Sequence, residues 1–498
     1  MEQTRVIYHK EYQIAEVDPR IFGGFIEHIG RAIYEGVYDP QSKHAGEDGF
    51  RKDVLGALKA MDMSIMRYPG GNFVSGYHWL DGVGPKDQRP TVRDLAWQSI
   101  EPNQFGTDEF MKLAEKMGWQ PMMAVNLGTG MPDEARNWVE YCNSSVGTKF
   151  ADMRAANGHK DPYDVKLWCL GNEMDAIWQL GHVPARDYAI RAQQAAKMMK
   201  DVDPSIETIA SGSCKVDLPT YVGWDREILE YIGSFAEYLS VHRYVRNDDS
   251  NAADFFAVTN AITQQIEEMD AVCRYVQAVT RSRKRHYLCF DEYNIWYRAR
   301  KAEHKDGRGK FAPHLIEETF NLEDTLVIAG FLNCFIRRAD VVKIANLSQV
   351  VNVLAPILTR GNDMLLQSIY YPFLMYSKRR EGMSLRPAVA GPGYESKLYG
   401  YVDYIDTSAI LSDGLLHVFL SNRSQEENAP VTIEFPGGNI ESLESAEIVT
   451  GPGVKAENTY EQPDVVTAKP FTEVKVADGQ AQLTLPPVSV VAMTFRVM

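Results

Sequence analysis

The chain has 498 residues, more than one hydrophobic core usually organises, and 45% of them are apolar, so two well-packed domains are expected. Its 52 basic and 67 acidic side chains leave a net charge of −15. That argues against nucleic acid and anionic membrane as partners, since both need basic patches, and makes neutral ligands the natural complement.

The N-terminus, Met1 to Arg5, is polar and lacks the apolar stretch of a signal peptide, and no later stretch is long and apolar enough to span a membrane. Residues 5–8 and 13–17 alternate as strands do, and residues 1–17 are expected to join a sheet formed by the C-terminal part of the chain. From there to about residue 380, continuous apolar runs at 22–26, 64–68, 121–126, 165–170, 207–210, 238–242, 286–290 and 341–345 read as eight strands. Helical periodicity fills the intervals at 50–61, 108–117, 133–142, 185–202, 254–281 and 322–338, with Asp133 and Asn321 as capping residues. Eight strand–helix units in series predict a (β/α)8 TIM barrel over residues 18–385. A doubly wound sheet competes, but its dinucleotide glycine motif is missing: Gly128-Thr129-Gly130 lacks the third glycine and Pro132 follows. Beyond residue 385, prolines punctuate short alternating strands at 415–422, 431–435, 473–476 and 482–485, which predicts an antiparallel, jelly-roll-like β-sandwich over 386–498. The six cysteines are scattered without a CxxC pair, several within apolar runs, which points to a reducing, cytoplasmic setting with no disulfide framework and no zinc knuckle.

Reactive groups of a β/α barrel sit at the C-terminal ends of its strands. Here those ends carry Glu27 and His28, then Arg67 to Asn72, Asn126, Asn172 and Glu173, His242 and Tyr244, Glu292, and finally Asn346 and Gln349. Amides, carboxylates and imidazoles converging on one mouth suit a ligand rich in hydroxyl groups, and no cluster of Arg or Lys is expected there for an anionic one. Glu173 and Glu292 end strands four and seven, across the mouth from each other. A carboxylate at the end of an apolar strand is costly unless paired or used, and two facing carboxylates are what glycosidic cleavage requires. Arg67, Tyr244 or His242 could hold the one that must stay ionised. Asp291 reads as a structural ion-pair residue facing away from the mouth. Tyr77, His78, Trp79, Trp97, Trp178, Trp296 and Tyr297 lie in the loops, where one or two are expected to stack on sugar. The polar segment 301–311 has the length of a lid. Glu27, His28, His242 and Glu292 are conceivable metal ligands, but their spacing matches no metal motif, so no metal is expected.

The motifs Phe25-Ile26-Glu27-His28, Arg67-Tyr68-Pro69-Gly70-Gly71-Asn72-Phe73, Asp81-Gly82-Val83-Gly84-Pro85, Leu170-Gly171-Asn172-Glu173-Met174-Asp175, Phe290-Asp291-Glu292-Tyr293-Asn294 and Gln349-Val350-Val351-Asn352-Val353 resemble, in order and along essentially the whole chain, the family 51 α-L-arabinofuranosidases. The resemblance implies a retaining exo-glycosidase that acts on arabinose-containing oligosaccharides without metal or organic cofactor. It further implies an intracellular homo-oligomer, often a hexamer. By the same resemblance Glu173 is the acid/base, Glu292 the nucleophile, and Glu27, Asn72, Asn172, Tyr244 and Gln349 ligands of the furanose ring, with His242 and Trp97 close by. Another retaining barrel glycosidase, or a saccharide-binding protein without the chemistry, are the competing readings. Arg243 stands where a glutamine is expected, Tyr293 where a tryptophan is common, and Asn346 where a smaller residue is. The first two bear on the leaving-group side.

Overall fold

The computed structural model describes residues 1–299 and 307–498. Eight parallel strands close into a barrel: β1 (Gly23–Phe25), β2 (Ile65–Tyr68), β3 (Gln120–Val125), β4 (Leu167–Leu170), β5 (Glu207–Ala210), β6 (Tyr238–Val245), β7 (Tyr287–Ile295) and β8 (Val342–Ser348). β8 pairs with β1 to complete the ring, Asn346 facing Gly23. Each strand lies under the helix layer on one face and against the lumen on the other, which is why its sequence is apolar without alternation. Ile65, Met122, Ala124, Leu167, Cys169, Ile209, Cys289 and Ile344 fill the lumen as a small separate core. All eight predicted strands are present.

The helices follow the periodicity with two differences. The segment read as one helix over 254–281 is two, Ala252–Phe256 and Thr259–Thr280. The break falls at Ala257 and Val258, both buried, and the first helix closes there with the Ala257 amide bonded back to Ala253 and Asp254. Asn321 caps Leu322–Arg337 as expected, its side chain accepting from the Glu323 and Asp324 amides. Asp133, by contrast, falls in the first turn of a helix that starts at Pro132.

Ten further strands form one curled sheet, folded over a core of its own that includes Tyr8, Leu385, Val418, Ile433, Leu483 and Met493, and three two-stranded hairpin sheets stand apart from it among the described residues. The curled sheet is the C-terminal β-sandwich. The N-terminal strand Thr4–Glu16 lies inside it, antiparallel to Met383–Ala390 and parallel to Ala429–Glu434, the one parallel pairing in an otherwise antiparallel sheet. Barrel and sandwich meet along the helix Leu322–Arg337. There Asp406 of the strand Ile405–Ser412 is buried between Arg337 at 2.9 Å and Arg423 at 3.2 Å, and also accepts from Asn333 at 2.8 Å. All six cysteines are buried and free.

Candidate active site

The site is assembled on a charged layer above the apolar lumen. Arg67 ends β2 with its guanidinium fully buried and stacked over Phe25, 4.5 Å from the ring centre. A buried charge must be paired, and Arg67 has three partners. Nη1 donates to Glu292 Oε1 at 2.8 Å, Nη2 donates to Asn172 Oδ1 at 2.8 Å, and Nη2 lies 3.2 Å from Asp291 Oδ2. Two consecutive residues of β7 can face inward because the strand bulges. Cys289 faces Ser240 and Glu292 faces His242, so three residues on β7 span two on β6. Alternation from Cys289 in the lumen keeps Asp291 inside the barrel, and the bulge turns Glu292 inward above it. It is a structural ion-pair residue, as expected, but not one that faces away. Burial would raise its pKa, yet Arg67 and His242 bring it below the ordinary carboxylate value.

Above this layer stand the two glutamates. Glu292 receives the Tyr244 hydroxyl on Oε2 at 2.8 Å, so each of its oxygens carries a donor. Burial and the Glu292 charge push the Tyr244 pKa well up, which keeps that phenol protonated. Glu173 follows β4 through a sharp turn in which both Gly171 (φ +83°) and Glu173 (φ +47°) are left-handed. For a residue with a side chain that conformation costs roughly 1–2 kcal/mol, a strain of the kind that collects at functional sites. Glu173 Oε2 accepts from the Trp178 indole at 2.8 Å and Oε1 lies 3.0 Å from His242 Nδ1. His242 Nδ1 is also 3.6 Å from Glu292, and Nε2 is 3.3 Å from Asp291. Burial would discharge this imidazole, but Glu292 and Asp291 hold its pKa well above the ordinary value. Ligand oxygens of Glu173 and Glu292 lie within 4.8 Å of each other, close to the roughly 5 Å between carboxyl groups that double displacement uses.

Glu27 forms the next wall. Its Oε1 accepts from the Phe73 amide at 3.0 Å and the Trp97 indole at 2.9 Å, and its Oε2 from Gln349 Nε2 at 2.9 Å. Gln349 Oε1 in turn accepts the Glu27 amide, locking β1 and β8 together at the mouth. Burial and, after it, the charge of Glu292 raise the Glu27 pKa to about 7. The Gly70-Gly71 pair is required by this crowding: a Cβ on Gly71 would sit 2.7 Å from Glu292 Oε1, and one on Gly70 3.0 Å from Glu27 Cγ. Asn172 Nδ2 faces Asn72 Oδ1 at 3.5 Å.

A cavity of about 590 Å³ opens over these groups. Of the nine predicted site residues, Glu27, Asn72, Trp97, Glu173, His242, Tyr244, Glu292 and Gln349 line it, while Asn172 sits behind, on Arg67. Three strand-end residues lie elsewhere. His28 is enclosed between Glu101 and the Tyr68 hydroxyl, each at 2.9 Å. Asn126 turns its side-chain oxygen onto the amides of Gly128, Thr129 and Gly130, which explains the glycine fragment after β3 as a capped turn. Asn346 is buried against β1 and β3. Among the loop aromatics Trp97, Trp178 and Trp296 reach the cavity, while Tyr77, Trp79 and Tyr297 pack into the core. Tyr293 also points away, against Phe331 and Phe335 of the helix layer, so it does not bear on the leaving-group side.

The cavity has lining that strand-end reasoning missed. Lys215, Arg243 and Arg246 line it, against the expectation of no basic cluster, and so does Tyr399, from the turn between Gly393–Ser396 and Gly400–Asp403. Tyr399 carries no local sequence signal, because only the tertiary fold brings that hairpin to the barrel mouth. Residues 301–306 of the expected lid lie outside the described residues; beyond them Gly309 and Lys310 are bonded to Gln98 and Ile100 of the loop after β2. Glu173, His242 and Glu292 are also close enough together to share a cation. They fit one poorly: a charged imidazole offers no lone pair, and both oxygens of Glu292 already accept hydrogen bonds.

Comparison with known proteins agrees with this geometry. Residues 57–261 match the α-L-arabinofuranosidase 1 domain and residues 291–489 the α-L-arabinofuranosidase C-terminal domain. An intracellular exo-α-(1→5)-L-arabinofuranosidase of Bacillus subtilis is 42% identical over 94% of both chains. The chain belongs to the family 51 α-L-arabinofuranosidases. A solved family 51 α-L-arabinofuranosidase from Bifidobacterium longum superposes with a TM-score of 0.95 at 32% identity, covering 100% of both chains. The arabinose complex of the Thermotoga maritima α-L-arabinofuranosidase gives 0.89 at 33%, covering 99% of this chain and 100% of that one. This family 51 glycoside hydrolase has, among its described residues, no helix long and apolar enough to cross a membrane.

Proposed function

We propose that this arabinofuranosidase is exo-acting and retaining. It removes terminal non-reducing α-L-arabinofuranosyl residues from arabino- and arabinoxylo-oligosaccharides in the cytoplasm, as a homohexamer, on a site carried by the barrel of residues 18–385. Glu292 attacks the anomeric carbon while Glu173 gives its proton to the departing oxygen. Glu173 then takes a proton from water as that water displaces Glu292 and frees the sugar. Glu27, Asn72, Asn172, Tyr244 and Gln349 receive the ring hydroxyls, with His242 and Trp97 beside them. The observation that carries the reading is the approach of the two carboxylates to within 4.8 Å, with Arg67 and Tyr244 donating to Glu292 and the Trp178 indole to Glu173. Relatives support the substrate class: the Bacillus subtilis protein is named for α-(1→5) and a Bifidobacterium longum protein, 38% identical, for α-(1→6) linkages.

The test is a panel of 4-nitrophenyl glycosides. The α-L-arabinofuranoside is expected to exceed the β-D-xyloside and β-D-glucoside in kcat/KM by on the order of 10² or more, as a site built on hydrogen bonds to particular hydroxyls should. Comparable hydrolysis of either pyranoside would instead support a different retaining barrel glycosidase, and saccharide binding without hydrolysis would leave only a binding protein.

A further inference from the structure

Beyond the carboxylates, the cavity continues over the loops that follow β5 and β6, where Lys215, Arg243, Arg246 and Tyr399 line it. This is the side of Glu173. The Trp178 indole that donates to Glu173 has Lys215 Nζ 5.9 Å from its ring, and Lys215 pairs with Asp217, whose charge also acts on Arg243. If Glu173 protonates the departing oxygen, the leaving group rests on this shelf.

The three cations there are not equivalent. Lys215 is paired with Asp217 at 3.4 Å and Arg246 with Asp248 at 3.3 Å, all on exposed side chains. Arg243 is largely enclosed and makes no ion pair among the described residues. Its Nη1 has a single long contact, 3.5 Å to Gln265 Oε1, and its Nε is enclosed without a partner. Its electrostatic neighbours are Tyr399, Tyr221, Glu268 and Asp217. Glu268 is already bonded to the Tyr221 hydroxyl and Gln264, each at 2.7 Å, and Asp217 to Lys215. A guanidinium in a cavity wall, partly desolvated and without a close acceptor, is expensive unless a ligand supplies one. A single guanidinium without a direct ion-pair partner suits a monoanion better than a dianion, and a planar carboxylate matches its fork.

We propose that the leaving-group side takes an aglycone bearing one carboxylate, such as a uronosyl unit, and that Arg243 binds that carboxylate. The assignment rests on the reading of Glu173 as proton donor. It runs against the expectation of wholly neutral ligands drawn from the net charge, because the deciding charge is local.

The test compares 4-carboxyphenyl with 4-carbamoylphenyl α-L-arabinofuranoside, near-isosteric aglycones that differ in charge. The native enzyme should favour the carboxylate by about tenfold in kcat/KM, as a charge-assisted hydrogen bond would provide. That ratio should fall toward one in Arg243→Gln, return in part in Arg243→Lys, and shrink for the native enzyme in 0.5 M sodium chloride, a partly exposed charge being screened. A native ratio at or below one, or an unchanged ratio in Arg243→Gln, overturns the proposal while leaving the arabinofuranosidase reading intact. Hydrolysis of neither compound by the native enzyme overturns that reading, and this proposal with it.

Discussion

At the scale of single residues, the site is a set of buried charges that each need a neighbour. Arg67 binds Glu292, Asp291 and Asn172 at once, so the nucleophile's position depends on a residue at the end of another strand. Among the described residues Glu173 contacts no such cation except His242, and its role can be isolated by leaving-group ability. Glu173→Ala should lose about 10²-fold or more on natural oligosaccharides yet retain most glycosylation activity toward 4-nitrophenyl or better leaving groups, which need little proton donation. Equal loss across a series of aryl arabinofuranosides would contradict the assignment. Gly71 is as exacting as any charged group: Gly71→Ala should keep the fold and lower kcat/KM at least tenfold, because the added methyl would meet Glu292 Oε1 at 2.7 Å. Kinetics together with a circular dichroism spectrum would separate these two effects.

At the scale of elements, the short helix Gly223–Ile232 illustrates a burden carried away from the site. Its Asp225 is fully buried and accepts the amides of Ser213 at 2.8 Å and Val222 at 3.2 Å, with no ion pair among the described residues. Burial, with a smaller contribution from Asp175, raises its pKa to about 7. The folded state therefore binds this proton more tightly than the unfolded chain does. The stabilisation is full below about pH 4 and is lost as pH rises toward 7, amounting to about 4 kcal/mol at three pKa units. Asp225→Asn should flatten the fall in Tm between pH 5 and pH 8, and an unchanged slope would show that Asp225 does not titrate there. The barrel strands were legible because continuous apolar runs have few other uses. The helix Gly223–Ile232 was not, being short and opening on glycine; nor was Tyr370–Ser377, buried on nearly every side and so without a period. The catalytic strand ends could be read in order. The bulge in β7 could not, because it is set by pairing with β6 and β8 rather than by local composition.

At the scale of the molecule, barrel and sandwich share charges as well as apolar surface. Asp406, buried between Arg337 and Arg423, ties the helix Leu322–Arg337 to the sheet. Asp406→Ala would leave two enclosed guanidinium groups without their carboxylate partner and should cost about 3–5 kcal/mol. Urea titration should read that as a lowered midpoint, and a loss below about 1 kcal/mol would show that the tie is dispensable. Tyr399 belongs to the same scale: a hairpin remote in sequence supplies a wall of the cavity, and no local pattern announces it. The central claim, that Glu292 and Glu173 cleave with retention, is tested most directly by trapping the glycosyl intermediate with methanol. With 4-nitrophenyl α-L-arabinofuranoside in methanol-containing buffer, proton NMR should show methyl α-L-arabinofuranoside as the transfer product; the β anomer would contradict the double displacement.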